Sequence, residues 1–339
     1  DYSEGTHADI LRRMAETNME QTAGYGEDPY CDQARKLIAG LCGRTDLDIH
    51  FLIGGTQTNF TVIAAALRPH QCVLCADTGH INVHESGAVE ACGHKVSAIP
   101  SADGKLTARQ IEEAWHAHWD DEIREHMPQP RMVYISQPTE LGTIYSRKEL
   151  QEISGVCRRR GLYLYMDGAR LGYGLCDEDN DLDLPAISSL CDAFYIGGTK
   201  VGALFGEALV LRHEALKEDF RYIAKQKGGR LAKGRLLGIQ FLELFRDGLY
   251  FRLGAHADRL AVMLRDFCRS RGLALPFSSG TNQQFVTMPD SVLEELGRKY
   301  GFAYLRREDE THSTVRFCMS WATREEDVRE LMADIARLC

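Results

Sequence analysis

The sequence predicts an α/β protein with a large domain on a mostly parallel central sheet and a smaller α+β domain at its C-terminal end. Three observations carry that prediction. Short apolar runs alternate with segments of helical periodicity through most of the chain, the pattern of a parallel sheet crossed by helices. The 339 residues exceed the roughly 250–300 that a single core usually fills, so two lobes are expected. Two of the apolar runs also deliver a charged group at their C-terminal end. Gly161-Leu-Tyr-Leu-Tyr-Met-Asp167 closes on a carboxylate, and Asp192-Ala-Phe-Tyr-Ile-Gly-Gly-Thr-Lys200 closes on an amine behind two glycines. Ligands of open α/β sheets bind outside the carboxyl ends of the strands, so both groups are expected to face one crevice. A lysine there can form a Schiff base and an aspartate can hold a pyridine nitrogen protonated, which together are a protein's share of pyridoxal phosphate chemistry. The plainer alternative is a helix cap at Asp167 and a solvated loop lysine at Lys200.

From the start of the chain, Ile10, Leu11 and Met14 recur at helical spacing, and the turn cluster Gly24-Tyr-Gly-Glu-Asp-Pro29 ends that helix. Tyr25, between two glycines, is either a turn aromatic or a hydroxyl presented to a ligand. Pro29 suits the first turn of a second helix reaching Cys42. His50–Ile53 reads as a strand, followed by Gly54-Gly55-Thr56-Gln57 and an apolar helix through Leu67. A strand, a glycine turn and a helix N-terminus make an anion site, with free backbone N–H groups at the helix start and a hydroxyl on Thr56; a tight capped turn is the alternative. Cys72–Ala76 is the next strand. Behind it His80 and His84 stand at a helical spacing, but no third ligand matches them, so no metal is expected. A histidine stacked on a flat cofactor is the better functional reading, and His80 is nearest the strand end. Val96–Ile99 and Met132–Ser136 are strands around a helix over Thr107–Trp119. Pro138 and Gly142 mark a turn holding Thr139 and Glu140 toward the crevice. Arg147–Arg160 is a helix whose basic tail meets its own negative dipole end.

After Lys200, Ala208–Leu211 is a strand. Lys225, Lys227, Arg230, Lys233 and Arg235 then cluster among glycines, read as a loop reaching a phosphate across a subunit boundary. Helices are expected over Leu236–Leu249 and Ala255–Ser270. Gln284–Met288, Ser291–Tyr300, Thr314–Met319 and Glu325–Leu338 then alternate strand and helix. Arg316 lies inside a strand pattern, either salt-bridged on the solvent face or aiming its fork at a carboxylate. The expected organisation is an N-terminal segment over 1–25 packing with the small domain, a large domain over 26–235 and a small domain over 236–339.

Composition narrows the partners. Hydrophobic residues make up 44% and charged residues 26%, an ordinary globular balance, and the net charge of −9 argues against nucleic acid or anionic membrane. No signal sequence or spanning run is visible, and eleven cysteines without secretory features read as reduced thiols, so a cytoplasmic setting is expected. Cys72-Val-Leu-Cys75 has a redox or zinc spacing, yet it lies in an apolar run where buried packing is expected.

Six stretches taken together resemble the threonine aldolase and aromatic amino acid β-eliminating lyase family, of the aspartate aminotransferase-like fold (fold type I). They are Tyr25-Gly-Glu-Asp28, Gly54-Gly-Thr-Gln57, Gly79-His80, Asp167-Gly-Ala-Arg170, Thr199-Lys200 and Arg316, and they span nearly the whole chain. The resemblance implies pyridoxal 5'-phosphate bound covalently to Lys200, with Asp167 under the pyridine nitrogen. It also implies Gly55 and Thr56 on the phosphate and His80 over the ring. Arg170 and Arg316 would meet the cofactor oxygen or the substrate carboxylate, with Tyr25 also toward the substrate. A small amino acid substrate and a homo-oligomer, dimer or tetramer, with shared active sites follow. The implied reaction is cleavage of a β-hydroxy-α-amino acid to glycine and an aldehyde; β-elimination, transamination and racemisation would use the same cofactor, and a non-catalytic relative that kept the fold is a further alternative. The chain departs from the family between Ser136 and Gly142, offering Glu140 where aldolases have a histidine near the β-hydroxyl. His80 is the expected proton acceptor, with Glu140 orienting the hydroxyl or a water.

Overall fold

Successive residues of a strand face opposite sides of its sheet, and the central strands here are apolar on both. The computed structural model describes Asp1–Cys339. Seven strands, β1 (Asp48–Leu52), β2 (Gln71–Ala76), β3 (Lys95–Ile99), β4 (Gln129–Ser136), β5 (Tyr163–Asp167), β6 (Ala193–Gly197) and β7 (Glu207–Leu211), form one sheet. Their order is β1-β7-β6-β5-β4-β2-β3. The run from β6 to β3 is parallel, and β7 is antiparallel to both β1 and β6. Val133, Ile135, Leu164, Met166, Phe194 and Ile196 enter the apolar core on one face. Met132, Tyr134, Tyr163, Tyr165, Ala193 and Tyr195 enter the core on the other. Asp167 shares the parity of Tyr163 and Tyr165, so its carboxylate emerges among the tyrosines.

The helices begin where their capping residues stand. The α1 helix (Ala8–Glu16) is followed by α2 (Pro29–Leu41), whose cap Asp28 accepts the Cys31 N–H at 2.9 Å and whose first residue is the proline. The helix Arg147–Arg160 opens on a reciprocal Ser146–Glu149 capping box and closes on Gly161 at φ 64°, a left-handed stop. By contrast α3 (Gly55–Ala66) has no side-chain cap at all. A second sheet, antiparallel in the order β8-β10-β9, contains β8 (Gln283–Pro289), β9 (Ala303–Arg307) and β10 (His312–Cys318).

Three readings of the sequence need correction. The break between the two long helices falls at Asp247-Gly248, giving Arg235–Arg246 and Leu249–Ser270, because Gly248 takes φ 68° and starts the second helix early. Strand β9 was not expected: all its residues are exposed, so Ala-Tyr-Leu-Arg-Arg lacks the alternation that marks a half-buried strand. Short helices at Leu171–Cys176, Leu184–Leu190 and Phe220–Gln226 also lacked a readable period. Cys72 and Cys75 are buried within β2. No helix is long and apolar enough to cross a membrane.

Candidate active site

The site gathers at the carboxyl ends of β2, β4, β5 and β6, around Asp167. This carboxylate is 4% exposed and accepts four hydrogen bonds, three of them from side chains.

 Tyr134 Oη donates to Oδ2 at 2.6 Å, Tyr195 Oη to Oδ1 at 2.5 Å, Asn59 Nδ2 to Oδ2 at 3.0 Å, and the Ala169 N–H to Oδ1 at 2.9 Å. Burial alone would raise the pKa of Asp167, but the charge of His80 and the hydroxyl and N–H donors outweigh it and hold the carboxyl below its ordinary value. The tyrosines come from the neighbouring strands β4 and β6, and Asn59 comes from α3, so the sheet register itself assembles the donors.

Asn59 extends the network. Its Nδ2 also donates to Glu85 Oε1 at 2.7 Å, and its Oδ1 accepts from Tyr165 Oη at 2.8 Å. The same Glu85 oxygen lies 2.7 Å from His80 Nδ1, and the Glu85 side chain is fully buried. Burial would lower the pKa of His80, yet the hydrogen bond to Glu85 and the charges of Glu140 and Asp167 raise it above its ordinary value. With Nδ1 engaged by a carboxylate, Nε2 is the ring nitrogen left to face the crevice.

Lys200 follows β6 on the turn Gly198-Thr199-Lys200. Glu207, at the start of β7, ties that turn down: it accepts the Gly198 N–H at 3.0 Å and the Thr199 hydroxyl at 2.8 Å. Burial and the nearby charge of Arg170 pull the Lys200 amine down, to about 8, while burial pushes the Glu207 carboxyl up. A lowered lysine has more of the unprotonated amine that bonds an aldehyde.

At the uncapped start of α3, a Cβ placed on Gly55 would come 3.0 Å from Tyr195 Oη, the hydroxyl that holds Asp167. The free N–H groups of Gly55 and Thr56 therefore lie one side chain away from the Asp167 network. The donor set fits pyridoxal phosphate: an amine of lowered pKa, a buried ionised carboxylate for a pyridinium, and an uncapped helix start for a phosphate.

Glu140 and Arg316 line one cavity of about 410 Å³, with Asp77, Thr78, His84 and Tyr304. Arg316 donates to Gln283 Oε1 at 3.0 Å and enters no ion pair. Arg170 differs: its Nε and Nη2 are taken by the Asp1 carboxylate at 2.8 and 3.2 Å. Tyr25 does not line this cavity. Its ring faces Lys225 Nζ at 4.4 Å and Arg230 at 5.9 Å, and its backbone holds φ 59°. The basic loop does approach the cup, since Gln57 Nε2 donates to the Lys227 carbonyl at 3.2 Å. Asn59, Glu85, Tyr134 and Tyr195 escaped the sequence reading. The one available signal was the acid five residues beyond His80.

Fold and site together define a pyridoxal phosphate-dependent enzyme of the aspartate aminotransferase-like class. An aspartate aminotransferase of Thermus thermophilus shares the fold, with a TM-score of 0.72 over 100% of this chain and 90% of its own at 15% identity. The beta-eliminating lyase family model matches residues 1–291. A low specificity L-threonine aldolase of Pseudomonas sp. strain NCIMB 10558 is 34% identical, over 95% of this chain and 92% of its own. A threonine aldolase structure from Leishmania major is 44% identical, with a TM-score of 0.97 over 99% of this chain and 97% of its own. The chain belongs to the beta-eliminating lyase family, as a lyase of its threonine aldolase group.

Proposed function

We propose that the protein cleaves a β-hydroxy-α-amino acid of the threonine, allo-threonine or phenylserine type to glycine and an aldehyde. The observation that carries this reading is the meeting of an unpaired arginine and a carboxylate, Arg316 and Glu140, on one cavity, with Glu140 near enough for its charge to act on both Lys200 and His80. Pyridoxal phosphate, when bound, supplies an aldehyde for amino groups and a ring that accepts electrons released at the amino acid's Cα. Lys200 would hold it through Nζ, Asp167 would keep its ring nitrogen protonated, and Gly55 and Thr56 would bind its phosphate. Arg316 binds the substrate carboxylate with its planar fork and so sets which bond at Cα stands free to break. His80 would stack against the cofactor and take the β-hydroxyl proton at Nε2, while Glu140 would orient that hydroxyl or a water.

The assembly is a homo-oligomer, dimer or tetramer, in which Tyr25 and the basic loop serve a neighbouring site, and the setting is cytoplasmic. The Tyr25 ring rests against Lys225 and Arg230 of that loop, at 4.4 and 5.9 Å, so the tyrosine and the loop would reach a neighbouring site together, which supports this reading. The experiment is to incubate the pyridoxal phosphate-loaded protein with threonine, allo-threonine and phenylserine and to identify the products. Glycine with the matching aldehyde is expected. Ammonia with a keto acid, or a racemised amino acid alone, would replace this reaction with another on the same cofactor.

A further inference from the structure

The two arginines at the site are held in opposite ways. Arg316 has no carboxylate partner, whereas Arg170, only 6% exposed at its side chain, is already paired with Asp1, whose side chain is 1% exposed. Asp1 is itself gripped from a second side: Asn282 Nδ2 donates to its Oδ2 at 2.9 Å and to the Met319 carbonyl at 2.8 Å. The contact thus joins the strand-to-helix turn after β5 to the segment leading into β8. Arg170 spends Nε and Nη2 on Asp1, and its Nη1 donates to no protein atom. A guanidinium held by two of its nitrogens cannot rotate, so the third points one way.

We propose that Asp1 is a positioning residue: it fixes Arg170 by Nε and Nη2 so that Nη1, the nitrogen with no protein partner, is offered to the carboxylate of a bound amino acid, with Asn282 fixing Asp1 in turn. This rests on the amino acid-lyase reading above. It divides the labour between the two arginines. Arg316 supplies the uncompensated charge, and Arg170, already neutralised, supplies direction. The division predicts selectivity for ligands with a carboxylate rather than a general loss of binding when Asp1 is changed.

The test uses the pyridoxal phosphate-loaded protein and two probes, glycine and methylamine, titrated by the change in visible absorbance. Asp1→Asn keeps the shape and removes the charge. It should bind glycine about tenfold more weakly, the worth of one charge-assisted hydrogen bond, while methylamine binding stays as in the parent. Asp1→Glu should recover part of the loss, and Asn282→Ala should show the same selectivity. Unchanged glycine binding in Asp1→Asn, or an equal loss of both probes, overturns the proposal. If Asp1→Asn does not fold, Asn282→Ala is judged by the same two outcomes. A parent protein that gives no spectral response to glycine sinks the lyase reading and this inference together; a normal parent with an unaffected variant sinks this one alone.

Discussion

His80 Nδ1 lies 2.7 Å from a carboxylate oxygen of Glu85, a side chain with no solvent exposure. The pair fixes the imidazole's tautomer and lifts its affinity for a proton, so the ring is tuned as well as placed. If His80 accepts the β-hydroxyl proton, its neutral form is the active one, and kcat/KM should rise with pH through an inflection above the ordinary histidine value of about 6.5. Glu85→Gln removes the raising partner, so that inflection should move to lower pH. A pH profile unmoved in Glu85→Gln would remove His80 from the titration.

The choice between the two proton acceptors is open to direct comparison. His80→Phe keeps a flat ring and removes the acceptor, while Glu140→Gln keeps the shape and removes only charge. Turnover should fall about 100-fold or more in His80→Phe, within the usual range for loss of a general base, and far less in Glu140→Gln. The visible spectrum should persist in both. The reverse order would make Glu140 the base and leave His80 as a stacking residue.

Lys200 should carry the cofactor. Borohydride treatment of the yellow protein should fix pyridoxal phosphate to the peptide containing Lys200, the amine brought down to about 8 by burial and Arg170. Label on Lys225, Lys227 or Lys233 would contradict the assignment.

Arg316→Lys keeps a positive charge but loses the planar fork. It should weaken kcat/KM by about 1.5–3 kcal/mol, the scale of a charge-assisted hydrogen bond, with cofactor binding retained. Unchanged kinetics would take Arg316 out of the substrate site.

Tyr195→Phe leaves Asp167 with one hydroxyl donor fewer in a buried setting. A loss of about 1–3 kcal/mol in unfolding free energy is expected from denaturant titration. The pH dependence has a definite sign. Asp167 is held below its ordinary value, so its contribution is present above the unfolded carboxylate range near ~3.9 and is lost as pH falls through the lower folded value. Tyr195→Phe should flatten that acid-side slope.

Asp167 and Lys200 were legible because their signals are local: an apolar run, a charge at its end, and glycines beside it. The partners that tune them were not. Tyr134 and Tyr195 reach Asp167 only because β4 and β6 flank β5, a fact of sheet order that no short stretch encodes. Asp1 meets Arg170 across 169 positions, beyond any periodicity. Arg316 was readable as a charged residue in a strand, but its freedom from acids depends on what β8 and β9 place around it. The break at Gly248 shows the opposite failure, where one glycine was too weak a signal between two apolar helices.

Strand β9 bears on how the protein behaves in concentrated solution. It closes one side of the small sheet with every residue exposed, including Tyr304 at 62%, and so offers an unpaired ladder to any other molecule. Such a ladder invites self-association into extended sheets unless something blunts it. Two devices do so here: the register shifts between Thr314 and Val315 of its neighbour, and Arg306 and Arg307 follow the apolar pair. A second copy docking edge to edge would have to crowd two arginines already ion-paired, Arg306 with Glu308 and Arg307 with Asp290, so this edge favours water over another strand.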